Sequence, residues 1–85
     1  MAHLEVEILS PAKSVARANA RQVNAPGALG RLGILPGHAA MVAELGTGPL
    51  SIETSEGVQS FKITGGYIDV AMDKVTVLAD SAEKA

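Results

Sequence analysis

Leu4, Val6 and Ile8 alternate with Glu5 and Glu7, the period-two pattern of a strand with one face buried and the other wet. Ser10-Pro11 ends that run. Further on, Ala16, Ala18 and Ala20 occupy one parity and Arg17, Asn19 and Arg21 the other. Alanine favours helix, but a helix would put the two arginines and Asn19 on no coherent face. Residues 15–23 are therefore read as a strand whose buried face has little room for side chains. Asn24-Ala25-Pro26-Gly27 follows as a turn.

The stretch Gly30-Arg31-Leu32-Gly33-Ile34-Leu35-Pro36-Gly37-His38-Ala39-Ala40-Met41-Val42-Ala43 reads as a short strand, a tight turn and a second apolar segment. Pro36 presets φ for the first central position of a turn and Gly37 tolerates positive φ at the second, so residues 35–38 fit a type II turn with His38 at its exit. Glycines at the density of Gly30, Gly33 and Gly37 mark a bulge or a sharp bend rather than a long regular strand. Gly46-Thr47-Gly48-Pro49 punctuates the chain again before alternation resumes at residues 50–54. Ser55-Glu56-Gly57 then joins that strand to residues 58–64 as a hairpin, with Phe61 and Ile63 on one face. Gly65-Gly66 breaks the strand, residues 67–71 begin the next, and Met72-Asp73-Lys74 turns the chain into residues 75–79.

Short strands punctuated by Gly or Pro roughly every eight to twelve residues predict an all-β sandwich or flattened barrel. Only the C-terminal Asp80-Ser81-Ala82-Glu83-Lys84-Ala85 resembles a helix start, with Asp80 or Ser81 as N-cap and Glu83 in the first turn.

Composition narrows the function more than the fold. At 85 residues the chain makes one domain with a modest core. A net charge of -2, with Phe61 and Tyr67 as the only aromatics, supplies neither the basic footprint nor the stacking platforms of a nucleic-acid surface. The absence of cysteine agrees with a reducing compartment. The start, Met1-Ala2-His3-Leu4-Glu5-Val6-Glu7, alternates and carries acids, unlike a signal peptide.

Catalytic constellations are missing from the pattern. His38 has no acid or second histidine at ligand spacing, which favours a structural or interface histidine whose ring bonds the backbone. Ser10, Ser14, Ser51, Ser55 and Ser60 lack a nucleophile-elbow context or a neighbouring base. Gly27-Ala28-Leu29-Gly30-Arg31-Leu32-Gly33 carries spaced glycines and a cation, but no helix follows and no Gly-Lys-Ser/Thr ending closes it, so a bulged strand end is the better reading. For Ala39-Ala40-Met41-Val42-Ala43 two readings are open: core, or a flat small-residue patch against another subunit.

The run from Gly30 to Ala39, followed in order by Gly48-Pro49-Leu50, Gly65-Gly66-Tyr67-Ile68-Asp69-Val70 and Val75-Thr76-Val77-Leu78-Ala79-Asp80-Ser81-Ala82, resembles the epsilon subunit family of F-type ATP synthases. The resemblance implies a flattened ten-stranded β-sandwich over residues 1–82, with 83–85 as the tail where a C-terminal helical domain would begin. It implies a non-catalytic part of the rotary central stalk that needs no cofactor or metal, clamped to the gamma subunit and seated on the c ring. Such a subunit lies at the cytoplasmic face of a bacterial inner membrane, or the equivalent face of another energy-transducing membrane, held there only through the complex.

Carried over residue by residue, the gamma-facing positions are Ser10, His38, Ala39, Met41, Val42 and Ala43, and the c-ring-facing positions are Leu29, Gly30, Arg31 and Leu32. The sequence departs from the family at Arg31, where an acid is common, and at Ala40, where proline is common. If the chain is complete at Ala85, inhibition and nucleotide sensing by the C-terminal helices are expected to be absent. The runner-up function is a free-standing β-sandwich module that binds a peptide or small ligand, with the glycine-rich edge open to strand addition.

Overall fold

The computed structural model describes residues 3–85, so Met1 and Ala2, which open the acidic alternating start, lie outside the described residues. Among the described residues seven strands form: β1 (Leu4–Leu9), β2 (Ser14–Ala20), β3 (Gln22–Gly27), β4 (Gly30–Ile34), β5 (Met41–Thr54), β6 (Gly57–Ala71) and β7 (Lys74–Lys84). They hydrogen-bond in the order β2-β1-β7-β6-β5-β3-β4. β1 and β7 run parallel and every other neighbouring pair is antiparallel.

A single sheet becomes a sandwich because its three long strands fold over along one row. Leu45 pairs with Gly66 and Thr47 with Thr64, leaving Gly46 and Gly65 between them; on the other side Gly66 pairs with Ala79 and Thr64 with Ser81, leaving Gly65 and Asp80. Across this row the inward-facing positions change parity. In β5 they pass from Met41, Ala43 and Leu45 to Leu50, Ile52 and Thr54, and in β6 from Phe61 and Ile63 to Ile68 and Val70. In β7 they pass from Val75, Val77 and Ala79 to Ala82. Strict period-two alternation would have thrown half of each strand's apolar set into water. The fold row lets one strand line both layers.

The core between the layers is aliphatic, with Leu4, Ile8, Val23, Leu50, Ile52, Ile63, Ile68, Val75 and Val77 fully buried and Phe61 as its one aromatic. Ala20 and Ala25 are buried, and Ala16 and Ala18 pack half-buried against the same cluster. This is the small-residue face that the alanine parity predicts. Phe61 and Ile63 share the inward face as expected.

Gly66 is required by a close approach. Its φ is 113°, and a Cβ there would collide with the Leu78 carbonyl oxygen and lie 2.8 Å from Ala79 Cα. β6 and β7 touch backbone to backbone at the fold row, which no larger residue permits.

Several expectations are corrected. Among the described residues the strand count is seven rather than ten, because Gly46 and Gly65-Gly66 bend β5 and β6 without ending them. Residues 15–23 do not form one strand: the chain leaves β2 after Ala20 and passes to the other layer at Arg21, whose N–H donates to the Glu53 carbonyl at 2.7 Å. Asn24, Ala25, Pro26 and Gly27 are not a turn but the second half of β3, and the turn is Ala28-Leu29. Pro26 is tolerated because the β3–β5 register lapses between Asn24 and Gly27, where no ladder donor is needed. The expected helix start at Asp80 and Ser81 is strand: β7 runs through Glu83 and Lys84, which pair with Lys62 and Phe61. The ladder and the inward Ala82 outcompete a cap with no helix behind it.

Candidate functional site

The turn at residues 35–38 has the predicted geometry. The His38 N–H donates to the Leu35 carbonyl at 3.1 Å and Gly37 adopts a φ of 86°. Its strongest outside tether is the Gly37 N–H, which donates to Asp73 Oδ1 at 2.7 Å. His38 is half-buried, and its Nδ1 lies 2.7 Å from the Ala39 carbonyl oxygen. A carbonyl only accepts, so Nδ1 carries the proton. Among the described residues no three His, Cys, Asp or Glu side chains gather as metal ligands, and no helix is long and apolar enough to cross a membrane.

The six residues assigned to gamma divide between two faces. Met41 and Ala43 are half-buried and pack inward on the core, whereas Val42 between them is 68% exposed and points outward. Ala39 is exposed beside the turn. Ser10 lies at the far side of the layer, in the β1–β2 connection, where its N–H and Oγ both donate to the Lys13 carbonyl, at 2.9 and 3.3 Å.

What connects Ser10 to Val42 is a pair of side chains that the sequence analysis assigned to neither contact. Opposite-neighbour registers run Glu44–Tyr67–Leu78–Leu9 across β5, β6, β7 and β1, one row from Val42–Asp69–Thr76–Glu7. Tyr67 and Leu78 are 56% and 50% exposed at the centre of the layer. They also line a depression of about 300 Å³ with Leu9, Ser10 and Pro11. Exposed apolar Tyr67 and Leu78 side by side on central strands mark a candidate contact surface, bordered by Glu44 and Asp69. The signal was present in the alternation, since Leu78 is apolar at an outward position between inward Val77 and Ala79.

The other layer's outer face differs in kind. Gln22, Asn24, Ser51 and Glu53 cover it with a hydrogen-bonded group in which Asn24 Nδ2 donates to Ser51 Oγ at 3.4 Å and Glu53 Oε2 at 3.3 Å, and Lys62, Thr64, Ser81 and Glu83 continue it. Val58 at the hairpin end is its exposed apolar exception.

Leu29, Gly30, Arg31 and Leu32 cluster at the β3–β4 turn. Leu29 is fully exposed at its tip, Gly30 opens β4 and Leu32 packs half-buried on the core. The Ala28 N–H donates to the Glu44 carbonyl at 2.9 Å, which ties the turn to β5. Arg31 pairs with Pro26 in the β3–β4 ladder, and its Nη1 donates to the Pro49 carbonyl at 2.6 Å. Pro26 has no N–H to offer β5, so the guanidinium supplies a donor where β3 supplies none. The turn and the outward edge of β5 enclose a groove of about 470 Å³, lined by residues 27–32 together with Val42, Ala43 and Glu44. The two candidate contact regions are therefore contiguous.

Comparison with known proteins places this geometry. The chain matches the family model for the ATP synthase delta/epsilon chain, β-sandwich domain, over residues 3–85. It is 42% identical over 82 residues to the ATP synthase epsilon chain of Geotalea daltonii, covering 96% of this chain and 59% of that protein. It is 35% identical over 85 residues to that of Anoxybacillus flavithermus, covering 63% of it. The chain thus spans about three-fifths of the length of the curated relatives it matches. Among solved structures, a chain of the Euglena gracilis mitochondrial ATP synthase (OSCP/F1/c-ring) superposes with a TM-score of 0.90 at 21% identity, covering 99% of this chain and 54% of that one. A chain of the Tetrahymena thermophila enzyme's central stalk and c ring does so with 0.78 at 24%, covering 94% and 65%. At those identities the structures speak for the fold, while the family model and the epsilon-chain identities speak for descent: the chain belongs to the ATP synthase delta/epsilon family and carries its β-sandwich domain.

Proposed function

We propose that this protein is a non-catalytic subunit of the central stalk of an F-type ATP synthase, joining the gamma subunit to the c ring and supporting proton-coupled ATP synthesis. It sits peripherally at the cytoplasmic face of a bacterial inner membrane, or the equivalent face of another energy-transducing membrane, through the complex alone. The observation that carries the reading is the outward row on β5, β6, β7 and β1. Exposed Val42, Tyr67 and Leu78 lie between Ser10 and the His38 turn, on a layer whose counterpart is polar. That row suits a protein partner such as gamma. The β3–β4 turn, with Leu29 at its tip and the Arg31 guanidinium at its side, is the contact for the polar loops of the c ring.

Val42→Glu tests the gamma face. Val42 is outward, so the substitution leaves the core intact but places a carboxylate without a partner in the interface. Co-purification with gamma is expected to weaken by about tenfold or more with an unchanged melting temperature. Retained binding would remove this face from the interface. Met41→Glu is not an equivalent test, because Met41 packs on the core and its loss would disturb the fold as well.

A further inference from the structure

Residues 35–40 join β4 to β5 without pairing in the sheet. Apart from the turn's own closing bond, the side-chain hydrogen bond that reaches this segment from outside, among the described residues, comes from Asp73. Asp73 sits in the two-residue β6–β7 turn, where Met72 and Asp73 both have positive φ, 49° and 62°. That is the mark of a type I′ turn, and asparagine, aspartate and glycine accept it at low cost. The residue is engaged twice. Its backbone carbonyl accepts the Glu5 N–H at 2.9 Å, which fastens the start of β1. Its carboxylate accepts the Gly37 N–H at 2.7 Å, a charge-assisted bond stronger than a neutral one.

Gly37 has a φ of 86°, and among the described residues nothing beyond its chain neighbours lies within 4 Å of where a Cβ would stand. His38 is the next residue, and among the described residues its ring bonds only the adjacent Ala39 carbonyl. The carboxylate is thus the polar tether of a segment in which Pro36 and His38 are half-buried.

We infer that Asp73 is a positioning residue for the partner surface: it clips the Pro36-Gly37 turn to the β6–β7 hairpin and so presents His38 and Ala39 in register with outward Val42. This rests on the reading of that surface as a gamma contact. An unclipped turn would still bind, but only after being ordered at the partner's expense.

The test compares Asp73→Gly and Asp73→Asn in the 85-residue protein. Glycine accepts the turn's φ but removes the acceptor, whereas asparagine keeps both the left-handed tolerance and an acceptor oxygen. Hydrogen exchange at the Gly37 amide is expected to accelerate about tenfold or more in Asp73→Gly and to stay within about threefold in Asp73→Asn. Exchange at the Val77 amide, in the core of β7, should not change in either. Affinity for gamma should fall about tenfold in Asp73→Gly and recover in Asp73→Asn. Unchanged Gly37 exchange in Asp73→Gly would overturn the clip, and so would lost protection at Val77, which would make the side chain a support of the whole fold. Faster Gly37 exchange with undiminished affinity would overturn its role in presentation. Should Val42→Glu leave gamma binding intact, the partner reading and the presentation role fall together, while Gly37 exchange still decides whether the clip exists.

Discussion

Gly66→Ala is expected to lower the unfolding free energy on the order of 4 kcal/mol. Two costs coincide there. A φ of 113° is a region that residues with a Cβ scarcely enter, and the added methyl would collide with the Leu78 carbonyl and press on Ala79 Cα at 2.8 Å. Neither obstacle is the flexible end of a side chain, so relief requires β6 and β7 to separate at the fold row. Single domains hold roughly 0.05–0.15 kcal/mol per residue, which leaves a short chain little reserve. Urea unfolding followed by far-ultraviolet circular dichroism should show the midpoint collapse. Gly37→Ala supplies the contrast: its φ of 86° carries the conformational cost, about 1–2 kcal/mol, but among the described residues no atom beyond its chain neighbours lies within 4 Å of the new methyl. Equal losses at the two sites would mean that backbone approach at Gly66 is not what the fold row depends on.

The same row explains what could and could not be read from the chain. Leu4, Val6 and Ile8 in one run and Phe61 and Ile63 in another announce their strands by simple alternation, because each run stays within its own layer. β5, β6 and β7 cross from one layer to the other. Their inward parity changes at the crossing, so a period-two reading stops there and restarts out of phase. Gly65-Gly66 looks like punctuation because a glycine is needed where two backbones touch. It does not end the strand, since Thr64 and Gly66 remain paired with β7 on either side. The helix expected after Asp80 failed for the opposite reason: local capping preference was correct for an isolated segment, and the ladder to β6 overrode it.

For the contact residues, the resemblance named positions and the alternation sorts them. Met41, Val42 and Ala43 are consecutive strand residues, so their side chains alternate: Val42 points outward, while Met41 and Ala43 pack half-buried against the core. Ser10 stood apart in sequence from the other candidates. Only the parallel pairing of β1 with β7, which sets Leu9 beside Leu78, brings it to the same layer. Such a nonlocal register is not written in any short motif. Arg31 had no stated companion in the sequence, and its hydrogen bond to Pro49 depends on a proline on the neighbouring strand that withholds a donor.

Leu78→Glu should produce the largest loss of partner binding without a loss of fold. Leu78 lies on a central strand between Tyr67 and Leu9, so an interface over this row would enclose it more completely than Val42, one row away on β5. Residues at the dry centre of an interface carry most of its energy, and an unpaired carboxylate there is both a lost contact and a buried charge. Affinity for gamma is expected to fall on the order of a hundredfold or more, about 3 kcal/mol, measured by titration of the purified subunits. Half of the Leu78 surface is already exposed, so its thermal midpoint should move little. Thr64→Glu places the same charge on the polar layer and should leave affinity unchanged. If Thr64→Glu weakened binding as much as Leu78→Glu, the partner would be responding to net charge rather than to the apolar row. The contrast between the two layers would then have no bearing on the proposed gamma contact.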